Sequence, residues 1–229
     1  MLYKLFYKVL NNVIYNFTFF LINTCKISIE VNMLSNKFYN LCISNHVSEF
    51  DVFILYVIFL DKNFNYKWIA DDKLKDLPIL GSWAKENNTI FISRTDKTGI
   101  KKIKKKVKSD DNIFIFPEGT LFYKQTILKS NELCKKLNIE SYKNVLCPKI
   151  QGFTTLLNIL KPKYITNITL NYIFDNKKFL KKSVDSLKIS NIYMNPPTKI
   201  IITIDKIKVD SKINIMDIFR EKDILLNKN

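Results

Sequence analysis

The sequence is short of the residues on which much catalytic and structural chemistry depends. Its 229 residues include one His, two Arg, four Gly and four Cys. A single His cannot complete a histidine-based zinc site. The thiols at positions 25, 42, 134 and 147 form no C-x-x-C pair and show no ligand spacing. No metal is expected, and the cysteines read as reduced, mostly buried thiols. No G-x-S-x-G elbow occurs, which argues against an α/β-hydrolase nucleophile. No repeat, Gly/Ser linker or low-complexity boundary divides the chain. The uncharged stretch Val9–Cys25 is 17 residues long and carries Asn11, Asn12, Asn16 and Asn23, so it is short and polar for a spanning helix. No small-residue cleavage site follows it, as a signal peptide requires.

What the chain does have is apolar mass and positive charge. Hydrophobic residues make up 47% and aromatics 13%, which excludes disorder, and the length suits one domain. The net charge of +16 points to anionic partners such as a lipid surface, a phosphorylated small molecule or nucleic acid. Of the 37 basic residues, 35 are Lys, and the abundance of Asn and Ile fits an AT-rich coding sequence. Part of the charge is therefore compositional, and the rare His, Arg and Gly are the informative residues.

Val9–Cys25, flanked by Lys8 and Lys26, fits an amphipathic helix lying in a membrane interface or a helix packed on the domain's own core. Beyond it, apolar β-branched runs predict strands at Phe38–Ser44, Tyr66–Ala70, Thr89–Ser93, Asn112–Phe116, Val145–Ile150, Ile165–Phe174 and Lys199–Ile204. Helical spacing predicts helices at Ser48–Leu60, Leu77–Glu86, Lys97–Ser109, Thr126–Leu137 and Ile215–Leu226. Thr89–Ser93, the helix after it and Asn112–Phe116 read as a βαβ unit, whose two strands are expected to be parallel neighbours. The fold class is α/β, with a mixed, mostly parallel sheet flanked by helices. In such sheets ligands gather at the carboxyl ends of strands.

Three of those ends carry unusual residues. Phe38–Ser44 runs into Asn45-His46-Val47-Ser48-Glu49-Phe50-Asp51. Ser48-x-x-Asp51 reads as a capping box, which places Asp51 in the first helical turn and His46 on the approach loop. The imidazole can then fold back on the Asp51 carboxylate, which fixes its tautomer and makes it a general base. Thr89–Ser93 ends in Arg94, whose planar fork suits phosphate as a lysine does not. Asn112–Phe116 ends in Pro117-Glu118-Gly119-Thr120, a turn that leaves polar groups at the sheet edge.

N-H-x4-D at 45–51, F-I-x-R at 91–94 and F-P-E-G-T at 116–120 resemble, in order and spacing, the first three motifs of the glycerophospholipid acyltransferases. Cys147-Pro148-Lys149-Ile150-Gln151-Gly152-Phe153 resembles the P-R-x-x-G-F segment of the branch containing 1-acylglycerol-3-phosphate and lysocardiolipin acyltransferases. Glu221-Lys222-Asp223-x-Leu225-Leu226 resembles its E-K-D-x-L-L helix, and Lys73–Gly81 the segment between the first two motifs. The resemblance implies a glycerol-3-phosphate acyltransferase-like domain, expected over 33–229, and the apolar, lysine-flanked stretch before it is expected to make 1–32 an amphipathic membrane-associated segment. It implies transfer of a fatty acyl chain from acyl-CoA, a co-substrate rather than a bound cofactor, to the free hydroxyl of a lysophospholipid. Lysophosphatidic acid is the first expectation; lysocardiolipin and lysophosphatidylinositol are alternatives.

By the same resemblance His46 is the base and Asp51 its orienter. Arg94, Glu118, Gly119 and Thr120 hold the acceptor's glycerol phosphate, with Lys149 beside them, and Asn45 shapes the loop or donates to the oxyanion. Lys149 stands where the branch has Arg, and Leu121 follows E-G-T where members often have Arg. The expected partners are acyl-CoA, a lysophospholipid and an intracellular membrane surface of endoplasmic-reticulum type, with the site on its reducing side; no nucleic acid is expected. The rival of another class is a basic membrane- or nucleic-acid-binding protein without catalysis, resting on the charge and on the lysines of 101–108.

Overall fold

Short apolar runs with no polar alternation become the middle of a seven-stranded sheet. The computed structural model describes residues 2–93, 98–174 and 188–227, with side chains from residue 8. Its strands are β1 Ser28–Met33, β2 Leu41–Ser44, β3 Lys67–Asp71, β4 Ile90–Ile92, β5 Ile113–Ile115, β6 Tyr164–Ile173 and β7 Lys199–Lys208, in the order β1-β7-β6-β2-β5-β3-β4. Every residue of β2 and β5 is buried, as befits parallel strands covered on both faces. All neighbouring strands are parallel except β6 and β7, which run antiparallel from Tyr164↔Lys208 to Ile173↔Lys199.

The helices are α1 Leu2–Thr24, α2 Asp51–Asp61, α3 Pro78–Glu86, α4 Thr98–Lys106, α5 Lys124–Lys136, α6 Ile150–Leu160, α7 Ile189–Met194 and α8 Ile215–Asn227, with a 3₁₀ turn at Asp72–Asp76. Side chains of α1, α2 and α3 pack with Cys42, Phe114 and Ile168 on one sheet face. Those of α4, α5, α6 and α8 pack with Leu41, Ile43 and Ile113 on the other. The opposite fates of Leu41 and Cys42 follow from strand alternation.

Three expectations change. Val145–Ile150 is not a strand. Pro148 supplies no N–H, and the amides of Leu146 and Cys147 donate to Glu118 Oε1 and Ser130 Oγ instead of to a ladder. The apolar side chains of this loop are nevertheless buried, which is why the run resembles a strand. The chain then enters α6, which periodicity had not revealed. Second, β4 and β5 are parallel but not neighbours, because β3 lies between them, pairing Lys67 with Ile113 and Ile69 with Ile90. Third, the expected boundary at 32/33 falls inside β1, an unforeseen strand that pairs with β7 from Ser28↔Lys199 to Met33↔Ile204.

The N-terminal stretch combines features of both readings. Leu10, Ile14, Thr18 and Leu21 of α1 are buried, at spacings that share one helical face. Phe17 lies 5.7 Å from Phe53 of α2, and Trp83 of α3 donates to Asn11 at 3.2 Å. Another face leaves Val9, Val13 and Phe20 open, Phe20 at 58% exposure. Among the described residues no helix is long and apolar enough to cross a membrane.

Candidate active site

β2 ends beside β6, with Ser44 opposite Ile168. Asn45, fully buried, continues that pairing with its side chain: Nδ2 donates to the Leu170 carbonyl at 3.0 Å and Oδ1 accepts the Leu170 amide at 2.9 Å. Its amide thus ties the start of the loop to β6. Immediately after this tie the backbone leaves the sheet at His46.

α2 starts later than a capping box at Ser48 predicts: Asp51 is its first residue and Phe50 its N-cap, with no side-chain cap. Phe50 N–H donates to Ser48 Oγ at 3.0 Å, and the Asp51 carboxylate reaches back to the amides of Ser48 at 2.9 Å and Val47 at 2.7 Å. The same oxygen, Oδ2, lies 3.0 Å from His46 Nδ1. Its partner Oδ1 accepts the Tyr172 hydroxyl of β6 at 2.6 Å. Asp51 is wholly buried, whereas the His46 side chain is 13% exposed and stacks on Phe116 at 3.8 Å and 10°. A carboxylate already accepting two amides and a hydroxyl cannot donate, so Nδ1 carries the proton and Nε2 is the basic nitrogen. That nitrogen lies on the ring edge away from Asp51.

Glu118 is 2% exposed, its Oε2 accepts the His46 amide, and its Oε1 accepts the Leu146 amide at 2.8 Å. Both oxygens are occupied beneath the surface, so Glu118 clasps the His46 loop to the loop before α6. Burial pushes its carboxyl above the ordinary range; the Leu146 and His46 amides pull it back, Asp51 pushes it further up, and Lys222 opposes that.

Gly119 has φ +69°, and a Cβ there would stand 3.0 Å from Lys149 Nζ and 3.1 Å from its Cε. Glycine is needed both for the left-handed turn and for the lysine lying across it. Lys149 is held there by its own amide, which donates to the Pro117 carbonyl at 2.8 Å. The structure thus gathers His46, Asp51, Glu118, Gly119 and Lys149 with Asn45 behind them, and Thr120, half-buried, follows Gly119 on the same turn. Arg94 lies outside the described residues. No group of three or more candidate metal ligands occurs among the described residues.

Sequence reasoning missed Tyr172, whose phenol fixes the far side of Asp51. It also missed how the E-K-D segment acts. Asp223 accepts the amides of Lys143 at 2.9 Å and Asn144 at 2.5 Å, and Arg220 lies 4.2 Å over the Tyr142 ring. These contacts fasten α8 to the loop whose Leu146 amide meets Glu118. No local pattern announces either feature, since both join segments far apart in sequence.

A family model described as Acyltransferase matches residues 29–146, just over half of the chain. The chain is 24% identical over 141 residues to 1-acyl-sn-glycerol-3-phosphate acyltransferase epsilon of Mus musculus, covering 58% of this chain and 36% of that one. It is 28% identical over 132 residues to lysocardiolipin acyltransferase 1 of Danio rerio, covering 52% and 33%. The match thus spans about a third of the length of each of these relatives. The fold resembles the crystal structure of the 1-acyl-sn-glycerophosphate acyltransferase PlsC from Thermotoga maritima, with TM-score 0.59 and 13% identity, over 97% of this chain and 80% of that one.

Proposed function

The chain belongs to the glycerophospholipid acyltransferase family, and from that membership and the His46 geometry we propose that it moves a fatty acyl group from acyl-CoA to the free hydroxyl of lysophosphatidic acid. The observation that carries the reading is the 3.0 Å contact of His46 Nδ1 with a buried Asp51 carboxylate that is itself held by two amides and Tyr172. His46 Nε2 removes the hydroxyl proton as the oxygen attacks the thioester carbonyl. The new C–O ester bond forms, the C–S bond breaks, and the proton passes to the departing CoA thiolate. No serine or cysteine nucleophile takes part, so no acyl-enzyme forms. General-base assistance of this kind is worth about 10²–10⁴ in rate, and positioning of the two substrates supplies much of the rest.

Lys149 lying over Gly119, with Thr120 next on the turn, suits the acceptor's phosphate, and Arg94 is its proposed second cation. The exposed Val9, Val13 and Phe20 of α1, with the basic charge of the chain, suit contact with an anionic membrane surface. We place the protein on an intracellular membrane, where lysophospholipid and acyl-CoA meet.

Similarity to a lysocardiolipin acyltransferase makes lysocardiolipin the second acceptor to test. The experiment is release of CoA thiol by detergent-purified protein given palmitoyl- or oleoyl-CoA with lysophosphatidic acid, lysocardiolipin or lysophosphatidylinositol, beside His46→Ala. Release that needs an acceptor and vanishes in the variant is expected. Acceptor-independent release that survives in His46→Ala would refute the reading.

A further inference from the structure

Between α4 and α6 lies a groove that the base and the acceptor leave unused. Its volume is about 510 Å³, and its lining includes Lys104 of α4 and Ile150, Thr154, Asn158 and Ile159 of α6. Both helices start at the ligand edge of the sheet, α4 after β4 and α6 directly after Lys149. Ile150, at the head of the groove, is thus the neighbour of the lysine that lies over Gly119. From Ile150 to Ile159 the groove follows α6 for about 13 Å, toward the opposite end of the sheet where β6 begins.

The two walls differ in chemistry. α6 has no charged residue; exposed Ile150 and half-buried Ile159 give it apolar patches, between the polar side chains of Thr154 and Asn158. α4 reads TGIKKIKKK, five lysines in nine residues. Burial of Gly99, Ile103 and, just beyond the helix, Val107 fixes its rotation. Lys104 and, one turn earlier, Lys101 then stand on the groove side, while Lys102 and Lys106 stand on the other flank. Neither helix contains an acidic residue, and among the described residues none of the five lysines has an ion pair. Like charges at helical spacing repel one another, and an anion between them removes that repulsion. Apolar patches, hydroxyl and amide groups and unbalanced cations along one rim suit a heterocycle that carries phosphates. Acyl-CoA has such a part, joined to its thioester by a long flexible arm.

We propose that the α4–α6 groove receives the adenosine 3′-phosphate 5′-diphosphate end of acyl-CoA. The ring system lies against Ile159 and Asn158, the phosphates meet Lys101 and Lys104, and the arm passes Ile150 toward His46 Nε2. The groove's continuity with Lys149 and its one-sided charge single out this occupant. The inference rests on the acyl-CoA reading given above, so its first readout is binding and turnover comes second.

Calorimetric titration with free CoA tests it, beside a thermal melt of each variant. Lys101→Ala with Lys104→Ala removes two charge-assisted contacts and should weaken CoA binding by about tenfold or more. Lys102→Ala with Lys106→Ala takes the same charge from the far flank and should weaken it by about twofold at most in physiological salt. Thr154→Trp fills the groove without changing charge and should weaken CoA as the groove-side pair does. Adenosine 3′,5′-bisphosphate, which lacks the arm and the thiol, should displace CoA from the wild-type protein. Equal losses from the two lysine pairs would overturn the proposal, as would a folded Thr154→Trp protein that binds CoA like wild type. So would a groove-side pair that lowers sedimentation with phosphatidylcholine–phosphatidylserine vesicles and leaves CoA binding intact, since those lysines would then face the membrane. CoA held in the groove of a protein without acyltransfer would refute the activity and leave the site standing. Acyltransfer with an unchanged acyl-CoA KM in the groove-side pair would do the reverse.

Discussion

Replacing Asp51 with Asn isolates charge from geometry at the centre of the site. Oδ2 takes three donors, from His46, Val47 and Ser48, while Oδ1 takes only the Tyr172 hydroxyl. An amide NH₂ cannot face two backbone N–H groups, so the Asn oxygen occupies the three-donor side. The Tyr172 hydroxyl, which can accept as well as donate, turns to meet the new NH₂. His46 therefore keeps its tautomer and loses only the negative charge beside the imidazolium that forms as the proton is taken. Opposite unit charges about 4 Å apart near a protein surface attract by about 4 kcal/mol. Solvent at the exposed ring edge returns part of this, which leaves about 2–3 kcal/mol, a fall in kcat of about 30- to 150-fold. KM should change little, because the carboxylate does not touch substrate. Asp51→Ala would not serve, since it leaves two amides and a hydroxyl unsatisfied in a buried place at about 1–3 kcal/mol each. The assay is steady-state thiol release beside a thermal melt, with Tm within a few degrees of wild type expected for Asp51→Asn. Turnover within threefold of wild type in a folded Asp51→Asn protein would refute the orienting role.

Other consequences can be measured with the same protein. Tyr172→Phe removes the donor to a buried carboxylate oxygen and should cost about 1.5–3 kcal/mol of stability, read by denaturant titration; an unchanged midpoint would contradict it. Gly119→Ala should raise the acceptor's KM more than that of acyl-CoA, because the added methyl displaces Lys149 and strains a left-handed turn; equal effects on both substrates would argue against the lysine's role. Val13→Glu with Phe20→Glu, both on the open face of α1, should abolish sedimentation with anionic liposomes while turnover on detergent-dispersed substrate stays near wild type. Undiminished sedimentation would move the membrane contact elsewhere.

The His46–Asp51 pairing was legible in the sequence because Ser48-x-x-Asp51 marks a turn in which the carboxylate reaches back to the loop before it, although α2 itself starts only at Asp51. Likewise Ile113–Ile115 and Leu41–Ser44 are apolar enough to be central strands wherever they fall. Val145–Cys147 misled because burial of side chains looks the same in sequence whether the backbone amides pair with a strand or with Glu118 and Ser130. A βαβ pattern gives parallel direction but cannot say that β3, earlier in the chain, lies between its two strands. The resemblance of F-P-E-G-T to the family motif says nothing of which way the Glu118 side chain turns. Its inward orientation depends on an amide at 146 and another at 46, which no local pattern connects. The N-terminal helix was ambiguous for a physical reason: it presents apolar residues both to the core and to the outside.

The pairing of β1 with β7 also bears on the order in which the protein is made. Ser28 finds its partner only at Lys199, and the amide of His46 lies in a loop whose supports include Leu146 and, through α8, Asp223. During synthesis the apolar α1 and the unpaired edge of β1 leave the ribosome well before β7, about 165 residues later in the chain. Contacts so distant in sequence form slowly, and an exposed strand edge in that interval invites association with other chains. A membrane surface that receives α1 early would shelter this segment while the strands that complete the sheet are still being made.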